Sequence, residues 1–190
     1  MSYLRKFEYK VVPEGSFKVK RNCSGCGCKA TFVNTNNFRV NANGRNLDVW
    51  LIYQCEKCKH TYNLSIYDRN KPQFIDEEEY KMFIENSKEA AMEYGRNVSL
   101  FSKNKAEIDW RNVEYNFEEV TPIDDGIQLK QGDLLVIHNN SQLKIRTDKV
   151  LSEVLNITRS KVKSLEKSNL IKINENRQEH KVEVEICGVI

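Results

Sequence analysis

The sequence predicts an α+β protein made of three successive regions: a cysteine-bearing β module over residues 1–72, an acidic helical connector over 73–106, and a small module mixing helices and strands over 107–190. Three observations predict it. Two Cys-x-x-Cys motifs bracket strand-like segments, a helix-capping pattern opens an acidic stretch, and a two-helix pattern with a basic stripe leads into a further strand. The charge changes sign along similar divisions. Residues 1–72 carry thirteen basic and five acidic side chains, residues 73–128 six and fourteen, and residues 129–190 eleven and eight. A net charge of +3 over 190 residues hides this alternation.

Composition excludes several classes. Apolar residues make up 39% and charged residues 30%, so the chain is polar but still holds enough core formers for a globular fold. The longest uninterrupted apolar run, residues 49–53, falls far short of the roughly 20 residues a membrane helix needs. The start, Met1-Ser-Tyr-Leu-Arg-Lys-Phe-Glu8, has no hydrophobic segment of signal-peptide type. Neither a membrane span nor a secreted form is expected, and a cytoplasmic location is. Without export, six cysteines read as metal ligands or buried thiols before they read as three disulfides.

The strongest chemical signal is Cys23-Ser-Gly-Cys26-Gly27, matched later by Cys55-Glu-Lys-Cys58. Each Cys-x-x-Cys makes a tight turn that points two sulfurs at one ion. Nearby backbone N–H groups are expected to stabilise the second sulfur of each turn as thiolate, and Gly27 stands where the chain must turn sharply. Two such knuckles supply the tetrahedral four-thiolate shell that structural zinc prefers. Cys23, Cys26, Cys55 and Cys58 are therefore the expected ligands of one Zn2+ per chain. The other reading is a pair of redox motifs or disulfides, but redox Cys-x-x-Cys motifs come singly in a strand–helix context, which is absent here. A closed four-cysteine site leaves no open coordination position, so this metal is expected to hold the fold and not to catalyse. In so small a module it supplies folding free energy on the order of 10 kcal/mol.

The segment between the knuckles behaves as a ribbon. Residues 31–33 and 38–41 are strand-like, and Asn43-Gly44 signals a two-residue hairpin. Residues 47–53 run into the second knuckle and 62–67 leave it. A zinc ribbon is the expected result. Cys28 and His60 each lie two residues past a knuckle's second cysteine, a spacing that points them away from the metal. They read as a free thiol and a surface imidazole. Cys187, in an apolar stretch, reads as a buried thiol.

In the connector, Asp76 suits a helix N-cap and Glu79 falls at the capping-box position. A second helix is expected from after Asn86 to about Lys103. Ala90, Ala91, Tyr94, Val98 and Phe101 line one face of it, with Gly95 a weak point. The acidic run reads as a solvated or self-masking face, because successive helical residues splay around the axis. Val113, Tyr115 and Phe117 then alternate as one strand, and residues 134–137 read as another.

From Arg146 the pattern changes again. Val150, Leu151, Val154 and Leu155 give a short helix its apolar face, and Asn156 ends it. Thr158 suits the cap of a second helix with Val162 and Leu165 on its buried side. At 100° per residue, Arg159, Lys163 and Lys167 lie within about 80° of one another, away from those two. Asn169 then reverses the chain into the strand over 170–173.

This order, short helix, tight turn, basic-striped helix, turn and strand, resembles the alpha-L RNA-binding motif of a small-subunit ribosomal protein, pseudouridine synthases and some tyrosyl-tRNA synthetases. The family pattern is Arg-Leu-Asp, then Ser-Arg, then Gly-x-Val-x-Val-Asn. It is met here by Arg146-Thr147-Asp148, by Thr158-Arg159 and by Asn169-Leu-Ile-Lys-Ile-Asn174, with Thr147 for Leu, Thr158 for Ser and Asn169 for Gly as departures. Asn169 keeps a residue that tolerates a left-handed turn. The whole chain also resembles a largely bacterial family, domain of unknown function family 1062. The likeness rests on the two knuckles, the stretch over 38–53 and the block over 146–165. It supports the plan of the chain and implies no established activity.

The leading functional expectation is a non-enzymatic nucleic-acid-binding protein, for structured RNA before DNA. Residues 142–177 carry nine basic and four acidic side chains. Arg146, Lys149, Arg159, Lys161, Lys163 and Lys167 are the expected phosphate contacts, since RNA helices are recognised through shape, phosphates and 2′-hydroxyls. Arg45, Lys57 and Lys59 would extend the track, with Trp50 or Tyr53 to stack bases. Their alternation puts those two on opposite faces, so at least one belongs to the ribbon core. The rival expectation is a protein-interaction adaptor whose rigid ribbon or acidic connector meets a partner complex. An enzyme, or a small-molecule substrate, is not expected. The chain has no phosphate-cradling Gly-rich loop and no nucleophile elbow, and its candidate bases are His60, His138 and His180. His138 and His180 flank strands able to pair across a sheet, though surface or satisfied imidazoles are the plainer reading.

Overall fold

The computed structural model describes residues 4–120, 129–176 and 178–189, so Arg177 and Ile190, which enter the patterns above, lie outside the described residues. Among the described residues there are ten strands and five α-helices. The first half holds β1 (Lys6–Pro13), β2 (Val19–Cys23), β3 (Cys28–Asn43), β4 (Asn46–Cys55), β5 (Thr61–Asn70), α1 (Glu77–Ile84), α2 (Lys88–Tyr94) and α3 (Val98–Lys103). The second half holds β6 (Glu107–Ile108), β7 (Tyr115–Glu119), β8 (Leu134–His138), α4 (Thr147–Val154), α5 (Arg159–Lys167), β9 (Ile171–Asn176) and β10 (Lys181–Ile186). Two five-stranded sheets result, ordered β5-β4-β3-β2-β6 and β7-β1-β8-β10-β9. The protein is α+β.

The chain divides into two compact units, one of residues 13–114 and one of residues 1–12 with 115–190. This differs from the division at 72 and 106. Charge reports what a segment shows to water, whereas membership of a unit follows from where its apolar side chains are buried. Phe83, Ala91 and Phe101 of the acidic segment are 1% exposed or less, and α1 and α2 pack on β3. The first strand, for its part, pairs with β8.

In the 13–114 unit, β3 and β4 pair from Phe32↔Cys55 out to Asn43↔Asn46. The two-residue hairpin is thus Gly44-Arg45, one residue later than Asn43-Gly44. Gly44 takes φ +62° at the first central position, where a primed turn asks for glycine. The two strand-like stretches before it are one strand, bulged between Asn34 and Phe38. That bulge anchors the helices: the Asn34 amide donates to Ser16 Oγ (2.8 Å) and to the Ala91 carbonyl (2.9 Å), and the Phe38 N–H donates to Asn86 Oδ1 (2.6 Å). Between sheet and helices the rings of Phe17 and Tyr53 meet Phe101 edge-on, at 5.6 and 6.0 Å between centroids. Such aromatic pairs add about 1 kcal/mol each beyond the area they bury.

Two local expectations are corrected here. Asp76 does cap α1, accepting from the N–H groups of Glu78 and Glu79 at 3.0 and 3.1 Å. Glu79, however, does not close a capping box; its carboxylate accepts the hydroxyls of Tyr67 and Tyr94. The single helix expected up to Lys103 is two, α2 and α3, broken at Gly95. The Gly95 carbonyl accepts the Phe17 N–H at 2.7 Å, and the Asn97 side chain opens α3 by accepting from the Leu100 N–H. A Cβ at Gly95 would stand 2.3 Å from Ser16 Oγ, so glycine is required there by close approach.

In the other unit β8 is central, parallel to β1 and antiparallel to β10. Leu134, Leu135, Val136 and Ile137 are all buried, as a strand covered on both faces requires. Just before it, Asp133 is fully buried and takes Nε and Nη2 of Arg5 at 3.0 and 2.5 Å, together with the Lys130 N–H at 2.7 Å. Burial pushes the Asp133 carboxyl up, but the Arg5 guanidinium and that N–H outweigh it and hold the group below the usual carboxylate range. The helices α4 and α5 bury Val150, Leu151, Val162 and Leu165. Asn156 and Asn169 end them in the left-handed region, at φ +51° and +56°. Thr158 caps α5 by accepting from the Lys161 N–H.

Candidate functional site

Cys23 ends β2, Cys55 ends β4, and Cys26 and Cys58 lie in the turns that follow. Antiparallel pairing of β2 with β3 and of β3 with β4 sets the two turns side by side. All four sulfurs lie within 4.8 Å of one another, with Cys23 Sγ 3.4 Å from Cys58 Sγ and Cys26 Sγ 3.8 Å from Cys55 Sγ. All six cysteines are free thiols. The four knuckle cysteines therefore form a possible metal site.

The two knuckles share one backbone geometry. Gly27 N–H donates to the Cys23 carbonyl at 2.8 Å and Lys59 N–H to the Cys55 carbonyl at 3.1 Å. Gly27 and Lys59, each just past the second cysteine, have φ of +67° and +64°. Backbone N–H groups serve the first sulfur of each turn. Cys23 receives the Cys26 N–H, and the N–H groups of Cys58 and then Lys57 pull the Cys55 thiol down to about 6 against its burial. Crowding by the Cys58 sulfur, then burial and the remaining sulfurs, pushes the Cys26 thiol up to about 12. Bare sulfurs packed this closely resist shared ionisation; a cation among them reverses that.

Gly25 lets the knuckles approach, because a Cβ there would stand 2.9 Å from Cys58 Sγ. Ser24 Oγ and His60 Nε2, 2.8 Å apart, tie the turns from outside. Cys28 pairs in register with Cys23 but is exposed and lies outside the cluster. Cys187 is half-buried, not buried, with its thiol 3.8 Å from the Glu185 carbonyl.

The basic residues of the other unit do not form a bare stripe. Arg146, through Nε and Nη2, forks onto Asp148 at 3.1 and 3.0 Å. Arg159 Nη2 reaches both oxygens of the same carboxylate at 3.1 and 2.9 Å, and Lys163 Nζ lies 3.7 Å from it. Burial would raise the Asp148 carboxyl, but Arg159 and Arg146 hold it below the usual range. Lys149 is engaged elsewhere, over the Tyr115 ring at 5.0 Å and 3.7 Å from Glu153. Lys161 and Lys167 are exposed.

Other expected contacts fall apart or turn inward. Arg45 sits in the hairpin loop and Lys57 and Lys59 in the second knuckle, at opposite ends of the ten-residue β4. That separates them by about 30 Å at 3.3 Å per residue, too far for one short track. Tyr53 is 0% exposed and stacks no base, while Trp50 is half-buried. His138 meets Glu8 at 3.1 Å, not His180. Sequence reasoning missed two features: Arg21, whose guanidinium lies 3.7 Å above the Tyr62 ring, and the Asp148 hub. Arg21 and Tyr62 meet only through strand pairing, and while Arg146 lies two residues from Asp148, Arg159 and Lys163 reach that carboxylate only because α5 packs on α4.

Fold and site together define an α+β protein with a four-cysteine cluster on an antiparallel sheet and a clustered cationic face beside a mixed sheet. The chain belongs to the family described as "Protein of unknown function (DUF1062)", whose model matches residues 40–177. That stretch holds Cys55, Cys58, α4 and α5, and begins beyond Cys23 and Cys26. No curated protein and no solved structure matches the chain. Among the described residues, no helix is long and apolar enough to cross a membrane.

Proposed function

We propose that the chain is a non-enzymatic, cytoplasmic nucleic-acid-binding protein, which grips structured RNA through the basic face of its second unit and holds one structural Zn2+ in a zinc ribbon. Four thiolates are the donor set zinc prefers in closed structural sites. With Zn–S bonds near 2.3 Å, their sulfurs stand about 3.8 Å apart, close to the spacing of these four. Bound there, the metal supplies crosslinking and charge neutralisation, and its ligands bring no open position for substrate.

The observation that carries RNA binding is the convergence of Arg146, Arg159 and Lys163 on one side of the α4–α5 pair, with Lys161 exposed on the same helix. The succession α4, turn, α5, left-handed Asn169, β9 supports the likeness to the alpha-L RNA-binding motif. Arg159→Ala with Lys163→Ala is expected to weaken binding to an RNA stem-loop with little change in Tm. Each lost phosphate contact should flatten the plot of log affinity against log salt by about 0.7–0.9. Lys81→Ala, in α1, should do neither.

A second reading, a protein-interaction adaptor, has its own observation. Phe74 and Ile84 are 68% and 53% exposed in the segment that also carries the exposed Glu77, Glu78 and Glu85, side chains suited to an apolar partner with basic flanks. Unchanged affinity and salt slope in the double variant would remove the RNA reading and leave the adaptor ahead.

A further inference from the structure

We propose that Asp148 is a positioning residue of the nucleic-acid site: it holds Arg146, Arg159 and Lys163 as a preformed cradle for one backbone phosphodiester, so that removing this negative charge weakens phosphate binding. The inference rests on the RNA-binding reading above and sharpens it to one phosphate and one organising carboxylate.

The geometry has three parts. The carboxylate lies beneath the cations: the Asp148 side chain is 13% exposed, against 69% for Arg146, 45% for Arg159 and 63% for Lys163. Donors remain free. Arg146 spends Nε and Nη2 on Asp148 and Arg159 spends Nη2 alone. Of five N–H donors on each guanidinium, at least three therefore remain on each to face a ligand. The cluster flanks an open groove lined by Arg146 and Lys163, by the apolar Ile145, Val162 and Ile173, and by the carboxylates of Glu166 and Glu175. Three cations around Asp148 leave a surplus of two within the cluster. Since Glu166 and Glu175 line the adjoining groove, the phosphodiester belongs on the solvent side of the guanidinium groups and not in that groove.

Two opposed effects decide the sign. Simple Coulomb repulsion says that a carboxylate beside a phosphate site lowers affinity, by a fewfold where the guanidinium groups stand between the two charges and solvent screens the phosphate. Preorganisation says the opposite. Two long side chains already fixed on Asp148 have lost their rotamer freedom before the phosphate arrives, and freeing them costs about two- to tenfold in affinity each on rebinding. The second effect is the larger here because both guanidinium groups share the one carboxylate.

The test measures binding of a fluorescein-labelled RNA stem-loop to the full metal-loaded chain, with Tm recorded for every variant. Asp148→Asn should lower affinity roughly five- to tenfold in the native background. In the Arg146→Ala, Arg159→Ala background no guanidinium remains to be positioned, so the same substitution should raise affinity by about twofold. That reversal of sign is something a merely destabilising substitution would not produce. Higher affinity for Asp148→Asn in the native background would overturn the positioning role and leave RNA binding standing. A fall of equal size in both backgrounds would likewise overturn it. If the native chain does not bind the stem-loop in a salt-dependent way, the RNA reading itself fails and this inference falls with it.

Discussion

At Gly25 an added methyl group would meet the Cys58 sulfur at 2.9 Å and His60 Cβ at 3.5 Å, while nothing lies within 4 Å of the same position on Gly27. The two glycines of the first knuckle thus serve different needs: Gly25 gives room for the opposite sulfur and Gly27 gives a left-handed φ. Gly25→Ala is expected to weaken metal retention at least tenfold against a chelator, read by spectrophotometric competition, with little change in the knuckle's own turn. Asp133 shows a different residue-scale effect. Its folded-state carboxyl is held below the usual value by Arg5 and the Lys130 N–H, so the pair's stabilisation is fully present above the unfolded value near 4 and disappears as pH falls through the folded one. Asp133→Asn should cost about 2 kcal/mol at neutral pH, because it strands a guanidinium beside a buried amide. The difference in stability between the native chain and the variant should shrink toward zero on acidification, as urea titrations at several pH values will show.

Among the elements, the paired knuckles and the broken helix set what each segment tolerates. Cys23 ends a strand inside the cluster, whereas Cys28 begins the next one facing solvent. Cys23→Ser should therefore lose the metal and unfold the β2–β5 sheet, and Cys28→Ser should keep one metal equivalent per chain by elemental analysis. Equal loss from both would show that the ligand set includes Cys28. The break between α2 and α3 is enforced at Gly95, where Ser16 Oγ, Ser16 Cβ and the Asn34 amide crowd any Cβ at 2.3, 2.7 and 2.9 Å. Gly95→Ala improves helix propensity by up to 1 kcal/mol, yet overpacking against the β3 bulge costs about 1–3 kcal/mol. A lowered Tm is expected, and a raised one would show that the contact yields easily.

For the molecule as a whole, the topology is an insertion. The 13–114 unit leaves and rejoins the chain at neighbouring points, since the Glu14 N–H donates to the Glu114 carbonyl at 3.0 Å. The remaining unit is completed by β1, which pairs in parallel with β8 from Lys6↔Leu134 to Lys10↔His138. A fragment of residues 13–114 should accordingly fold when supplied with Zn2+, giving a dispersed amide spectrum. A fragment of residues 115–190 should not, because without β1 it exposes the edge of its most buried strand. Restoring residues 1–12 through a short linker should recover it. A folded, monomeric 115–190 fragment would show that β1 adds little to this unit.

What the sequence by itself determined is local in origin. Each knuckle, the Asp76 and Thr158 caps, the left-handed asparagines at 156 and 169 and the apolar spacing of α4 and α5 depend on residues a few positions apart, whose geometry the backbone dictates wherever the segment sits. The gathering of Cys23, Cys26, Cys55 and Cys58 was legible too, because thiolate chemistry gives four cysteines in two turns one common purpose. The tertiary structure alone decided the rest. Glu79 left its expected cap for two tyrosines, Gly95 became a stop because Ser16 and Asn34 occupy its flank, and a stripe of cations became a cluster around Asp148. So too the first strand, whose partner lies more than a hundred residues away. Each of these turns on which surfaces meet in space, and a one-dimensional pattern records a side chain's chemistry without recording the neighbour that will claim it.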